Sequence, residues 1–262
     1  DDKGSTDSDS IKITVTESTS KYKSSCRNDI TYQQLDSNAY NYVGDRVTYQ
    51  GTIVQVLEGW SETSYRIDVG SSDIIYVNID SYKNLVEDDP VEFWGEVTGY
   101  KSYTSTAGWE ITIPEVDAKY IEKVDLDFNE GETLKWKGFD FTILHDKTVK
   151  SYSYKSSYGD YIRTKEADSG YKFVFIDVNA KNTGDEKVDV PCPYDMSLIA
   201  NGKQYSYESY YGEHSYRDVC GEIYPGVSAE GVVVFEVPDS VSNAVLAVEI
   251  TYDIDASWSI TC

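Results

Sequence analysis

From residue 46 onward, apolar and polar positions alternate along most of the chain. RVTYQGTIVQV puts Val47, Tyr49, Gly51 and Ile53 on one face and Thr48, Thr52 and Val54 on the other, the period of two expected of a pleated strand. Further strands are predicted at SYRIDV (Ser64 to Val69), IIYVNI (Ile74 to Ile79), VEFWGEVTGY (Val91 to Tyr100) and WEITIP (Trp109 to Pro114). Gly51 and Gly95 fall inside strands, where glycine marks a strong bend or a bulge. Five strands, two of them bent, suit a small barrel better than a flat sheet. Upstream, Thr31 is placed to cap a short helix over YQQLDSN, and Gly44 and Asp45 turn the chain into the first strand.

The second half repeats the pattern at FDFTIL (Phe139 to Leu144), YKFVFIDVNAKN (Tyr171 to Asn182), DMSLIA (Asp195 to Ala200), KQYSYE (Lys203 to Glu208), GVVVFEV (Gly231 to Val237) and AVLAVEITY (Ala244 to Tyr252). Asn201-Gly202 between two of these is the strongest short hairpin signal in the chain. Strands punctuated by Gly, Asn, Asp and Pro predict an antiparallel sandwich. Residues 1–25 are too rich in Ser, Thr, Asp and Lys to pack a core and read as a flexible polar tether. Within it, Ile11, Ile13 and Val15 alternate as a short added strand would, and Ser20-x-x-Lys23 matches a serine acyl-enzyme motif without its partner motifs. The division is therefore tether 1–25, barrel 26–124 and sandwich 125–262.

Composition supports an all-β chain: 24 Tyr stand against 7 Phe, 5 Trp and 1 Met, and Tyr favours half-buried pleated surfaces. The 262 residues carry a net charge of −23. Residues 26–124 hold 17 acidic and 7 basic side chains and residues 125–262 hold 24 and 12, so the acidity belongs to both folded surfaces. A phosphate backbone or an anionic membrane needs clustered Lys and Arg, so nucleic acid is not an expected partner. The chain shows no run of about 18 apolar residues and no signal-peptide pattern at Asp1.

Four cysteines, an even number, suit disulfides in an oxidising exterior, and none has C-x-x-C spacing. Zinc is not expected, because Cys26, Cys192, Cys220 and Cys262 lie far apart with only His145 and His214 to join them. Cys192 and Cys220 flank the predicted hairpin, and their pairing closes a 28-residue loop. Cys26 would then pair with Cys262 and fix the two units together; the alternative is two free thiols.

The run CRNDITYQQLDSNAYNYVGDRVTYQGTIVQVLEG, continued by LVEDDPVEFWGEVTGYKSYTSTAGWEITIPEVDAKYIE, resembles the OB-like domain near the N-terminus of secreted lipoproteins from Gram-positive bacteria. The order YKFVFIDVNAKNTGDEKVDV, MSLIANGKQY, YPGVSAEGVVVFEVP resembles the immunoglobulin-like module called domain of unknown function 4352, with Asn182, Gly202 and the Pro225-Gly226 turn in the expected order. Together the resemblances imply an all-β chain, an OB-like five-stranded barrel followed by an immunoglobulin-like antiparallel β-sandwich. They also imply an extracellular place on the cell membrane through a lipidated cysteine upstream of this sequence. They supply no catalytic residues and no cofactor, and the Tyr-rich insertions and the cysteine pair depart from the plain module.

Asp125-x-Asp127-x-Asn129-x-Gly131 opens like a calcium loop, but Glu130 and Trp136 stand where an EF-type loop needs Gly and Glu. It reads as an acidic linker, and Asp88 and Asp89 read as a solvated turn. His145 and His214 lack a nucleophile motif and read as surface residues. SYSYKSSYGDYIR (Ser151 to Arg163) and QYSYESYYGEHSYRD (Gln204 to Asp218) mix Tyr, Ser and Gly as antibody binding loops do. Period two accounts for Tyr152, Tyr154, Tyr205 and Tyr207 as strand faces; Tyr210, Tyr211 and Tyr216 fall outside it and are the expected ligand contacts. The function expected is a non-enzymatic binding or interaction module at the cell surface with an unidentified protein or glycan partner. The competing class is a cell-envelope glycan hydrolase using paired carboxylates, although 46 acidic residues single out no pair. A structural spacer without ligand is the third.

Overall fold

A computed structural model describes residues 17–58, 63–70, 72–80, 84–105, 107–155, 161–251 and 254–262. The alternating segment at Ile11 to Val15 lies outside these residues. The described chain is all-β apart from two short helices, α1 (Thr19–Ser24) and α2 (Tyr32–Asn38), and three 3-10 turns.

Five strands, β1 (Arg46–Glu58), β2 (Thr63–Asp68), β3 (Ile74–Ile79), β4 (Pro90–Thr104) and β5 (Glu110–Lys123), close into a barrel in the order β1-β2-β3-β5-β4. β3 and β5 run parallel and the other pairs are antiparallel. Closure leaves no open edge. Inward residues such as Val47, Tyr65, Ile75, Phe93 and Val116 are fully buried. Helix α2 contributes Leu35 to that core, and its start carries the expected cap: Gln34 N donates to Thr31 Oγ1 while Thr31 N donates to Gln34 Oε1. Tyr100 Oη donates to Leu35 O at 3.0 Å and accepts from Ala39 N at 2.8 Å, which seats the helix on β4.

The two mid-strand glycines sit where strands press together. A Cβ on Gly51 would meet Asp68 O at 2.5 Å, and one on Gly95 would meet Ala118 Cα at 2.7 Å, beside a register shift between Trp94 and Gly95. The glycines therefore permit close backbone approach between neighbouring strands of the barrel.

The polar tether ends earlier than residue 25. Ser18 caps α1, Tyr22 is buried against Tyr120 in an edge contact of 5.6 Å, and Lys23 Nζ sits 3.6 Å over the Trp94 ring. Those aromatic contacts outweigh the segment's polar composition.

The second unit begins with β6 (Asp127–Asn129), β7 (Thr133–Trp136) and β8 (Phe139–Val149), followed by a ribbon of β9 (Ser151–Lys155) and β10 (Ile162–Glu166). Then come β11 (Tyr171–Asn182), β12 (Val188–Val190), β13 (Met196–Ala200), β14 (Lys203–Glu208), β15 (Gly221–Ile223), β16 (Ser228–Pro238), β17 (Asn243–Thr251) and β18 (Ile254–Thr261). Nine of them form one folded sheet, β6-β18-β17-β13-β14-β16-β11-β8-β7. β14 links its halves: Lys203 to Ser206 pair with β13, and Tyr207 and Glu208 pair with β16. Between the halves lies the main core, with Trp136, Phe141, Ile176, Leu246 and Trp258 buried. Asn201 and Gly202 both have positive φ (51° and 72°), as the predicted two-residue hairpin turn requires. The Asp125 to Gly131 segment is only partly a linker, because Asp127 to Asn129 pair parallel with β18 and Asp127 Oδ1 accepts from Ser257 Oγ at 2.6 Å. Gln50 of β1 holds the β7–β8 turn, accepting from Lys137 N at 3.0 Å and donating to Lys135 O.

Cys192 and Cys220 are bonded across 28 residues beside the β12–β15 pair. Cys26 and Cys262 are free, which corrects the expected second bridge. Each thiol belongs to a different unit. Cys26 follows α1, its Sγ donating toward Tyr22 O at 3.5 Å, whereas Cys262 packs on the main core and its N donates to Ser242 O. A disulfide needs Cα atoms about 4.4–6.8 Å apart, and sequence parity carries no such proximity.

Substituting Gly95→Ala forces β5 away from β4 and is expected to cost about 1–3 kcal/mol, read as a lower urea midpoint for the barrel transition. An unchanged midpoint would contradict the close-approach account.

Candidate functional site

The outer face of β11 is where the Tyr-rich segments meet. Phe173 and Phe175 point away from the main core, and with Val234 of β16 they form a second small cluster. The β9–β10 ribbon lies over it. Tyr152 makes edge contacts with Phe173 at 5.0 Å, Phe175 at 5.3 Å and Tyr210 at 5.5 Å. Tyr210 in turn contacts Phe175 at 5.5 Å. Farther out, Tyr154 lies 6.2 Å from both Tyr152 and Tyr211. The rings thus step outward from fully buried Phe173 to Tyr211, which is 61% exposed.

Electrostatics hold the ribbon down. Lys165 Nζ donates to Glu208 Oε2 at 2.6 Å and sits over the Phe173 ring, while Lys147 Nζ lies 4.8 Å over Phe175. At the base, Ala167 N donates to Lys150 O and Lys150 pairs with Asp239. Burial, with Glu208 adding, pushes the Tyr152 phenol up to about 12; burial likewise raises Tyr210. Both stay neutral hydrogen-bonding groups at physiological pH. Residues 147–165 hold five basic side chains against one acidic, and Lys147, Lys150 and Lys165 are each paired with a carboxylate outside that stretch, Asp146, Asp239 and Glu208.

The expected contact residues separate. Tyr210 is half-buried and Tyr211 exposed, so both belong to this shelf, but Tyr216 is fully buried in the main core. Tyr216 is not positioned to touch a ligand. The chain reaches the core there because the segment from His214 to Tyr216 runs beside β16, Ser215 bridging parallel to Val232: Val232 N donates to His214 O at 2.7 Å, and a Cβ on Gly231 would meet Tyr216 N at 2.6 Å. Its hydroxyl has no partner among the described residues, and burial raises its pKa. The mid-strand Gly231 is the sign in the sequence of that approach. Tyr152 and Tyr154, assigned by alternation to a plain strand face, are the members of the shelf that alternation alone does not single out. Tyr205 and Tyr207 lean on the main core instead.

Other candidates fall elsewhere. His145 Nε2 lies 3.0 Å from Thr148 Oγ1, and exposed His214 has φ of 61°. Asp88 has positive φ as a turn residue, but Asp89 is buried, paired with Lys123 at 2.5 Å and accepting from Val86 N. On the barrel, Arg66 stacks 3.5 Å over Tyr103, and Lys101 pairs with Glu115, so these cations are already engaged. Among the described residues no three metal-ligating side chains cluster, and no helix is long and apolar enough to cross a membrane. Asp73 and Asp177 are carboxyls held above the usual range by desolvation first. Neither lines the groove of about 620 Å³ between Asn129 and Asn243 nor the one of about 460 Å³ between Asp88 and Asp127.

These features define an all-β protein whose second unit is a β-sandwich with an aromatic outer shelf. The chain belongs to the family described as domain of unknown function (DUF4352), whose model matches residues 128–259. No curated protein matches the chain. Similar solved structures include an uncharacterized β-sandwich protein from Clostridium difficile 630, at 18% identity and TM-score 0.35, covering 53% of this chain and 97% of that one. The yjhA protein from Bacillus subtilis is also 18% identical, at TM-score 0.38, covering 50% and 97%. A secreted protein from Mycobacterium tuberculosis, MPT63, is 14% identical at TM-score 0.34, covering 54% and 100%.

Asp73 offers a pH test of the electrostatics. Desolvation and then Asp68, Asp36 and Glu186 raise its pKa, so the folded state holds its proton above the ordinary carboxylate value. In that window the native state binds more protons than the unfolded, and stability falls as pH rises through it. Asp73→Asn, which still accepts from Gln33 Nε2, is expected to raise the neutral-pH melting temperature by about 1–3 °C. The gain should vanish below the carboxylate range; a lower melting temperature at neutral pH would refute the stated repulsion.

Proposed function

We propose that this chain is the extracellular part of a lipid-anchored surface protein of a Gram-positive bacterium and acts as a non-enzymatic binding module. In this reading an OB-like barrel presents an immunoglobulin-like sandwich, and Tyr154, Tyr210 and Tyr211 form the contact surface for a protein partner. Support for the OB-like reading comes from the barrel's strand order and its parallel β3–β5 pair; support for the sandwich comes from the nine-stranded sheet and the main core it encloses.

One observation carries the binding role: exposed Tyr211 lies against half-buried Tyr154, Tyr154 against Tyr152, and Tyr152 and Tyr210 are wedged together on Phe175. Rings held in place before binding lose little freedom on contact, and tyrosine offers large amphipathic area with few rotatable bonds. Nucleic acid is not among the proposed partners, because both units are acidic overall.

A photoreactive phenylalanine analogue in place of Tyr211, in the full chain displayed on a cell, is expected to give a discrete protein adduct. The same analogue in place of exposed Tyr40 on the barrel should not. Adding Tyr154→Ser should reduce the adduct about tenfold or more. Equal labelling from both positions, or labelling indifferent to Tyr154→Ser, would contradict the shelf's role.

A further inference from the structure

We infer that the groove across the outer face of β13, β17, β18 and β6 is a second binding site, independent of the tyrosine shelf, that takes a neutral oligosaccharide. Strand register sets Ile199, Val245, Ser259 and Asn129 side by side in one row. Neighbouring strands lie about 4.8 Å apart, so the row runs for about 14 Å, the length of about three linked hexoses. Asn243 and Thr261 pair in the next row, and Asn201 stands at the adjacent hairpin turn. Together they line an open groove of about 620 Å³, within the span of small-molecule sites.

The side chains match the chemistry of a sugar. Asn201 and Asn243 carboxamides and the Ser259 and Thr261 hydroxyls both donate and accept, as sugar hydroxyls do. Asn129 Nδ2 donates to Glu132 Oε2 at 3.1 Å, which leaves its carbonyl oxygen to accept. Ile199 and Val245, 40% and 37% exposed, give the floor an apolar strip on which the C–H face of a hexose would rest.

Charge selects the class. More than a quarter of the chain is charged, at 26%, yet the row above carries no ionisable side chain. The neighbouring row, Ser197, Ala247, Ser257 and Asp127, has one, and Ser257 Oγ already donates to it. Glu130 at the rim accepts from His145 N through Oε1. No Lys or Arg lines the groove, so a uronic or phosphorylated chain would find no counter-charge here and would approach a protein of −23. A second copy of the chain is a poorer fit, because a face about 14 Å wide offers roughly 200–300 Å² against the roughly 800 Å² per partner of a stable interface.

Titrating the isotopically labelled full chain with maltotetraose, chitotetraose and a galacturonic acid tetramer, followed by amide NMR, tests this. At least one neutral tetramer is expected to give saturable shifts at residues 199–201, 243–245 and 259–261, and the acidic tetramer none. Val245→Glu, which places a charge at an exposed position, should weaken binding by about tenfold or more, and Asn243→Ala should weaken it in the same direction. The inference is overturned if neither neutral sugar shifts these residues, if the acidic tetramer binds as well, or if both variants bind like the parent. None of those results would bear on the tyrosine shelf.

Discussion

Phe173, Val174, Phe175 and Ile176 are consecutive in β11 and all are buried, although a strand turns successive side chains to opposite faces. Val174 and Ile176 join the main core, which leaves two phenylalanines on the side that would otherwise face water. Burying a phenylalanine is worth about 1.5–3 kcal/mol, so a second layer over this face is strongly favoured. The β9–β10 ribbon and the Tyr210 loop supply it. The exposed rim of that layer is tyrosine because a residue there must pack inward through its ring and meet water through its hydroxyl.

The same residue type consequently has three fates within one loop and its neighbours. Tyr216 enters the main core, Tyr152 and Tyr210 wedge between layers, and Tyr211 stays out. The strand character of SYSYK is legible from its alternation, but nothing in alternation says which sheet a ribbon will cover. The run FVFI is the missing clue, since four apolar residues in sequence require cover on both faces. The burial of Tyr216 escapes a sequence reading because irregular loops have no period, and only Gly231 on the distant β16 marks where that loop must pass.

Much else is legible because it depends on local chemistry. Thr31 caps its helix, Asn201-Gly202 turn their hairpin, and Gly51 and Gly95 mark special positions inside strands. The Cys192–Cys220 bridge is legible because both residues flank one hairpin. Pairing Cys26 with Cys262 rests on counting alone, which carries no information on distance. Net charge describes the surface only as an average: the −23 hides an uncharged row across β13, β17, β18 and β6, visible only once strands are placed side by side.

The ribbon is thus a separately docked layer, wedged by Tyr152 on the outer face of the sandwich. Amide hydrogen exchange on Tyr152→Ala tests this most directly. Protection should fall at residues 151–155 and 162–166 while β17 and β18 keep the exchange of the parent protein. Unchanged protection in the ribbon, or loss of protection throughout the sandwich, would contradict it.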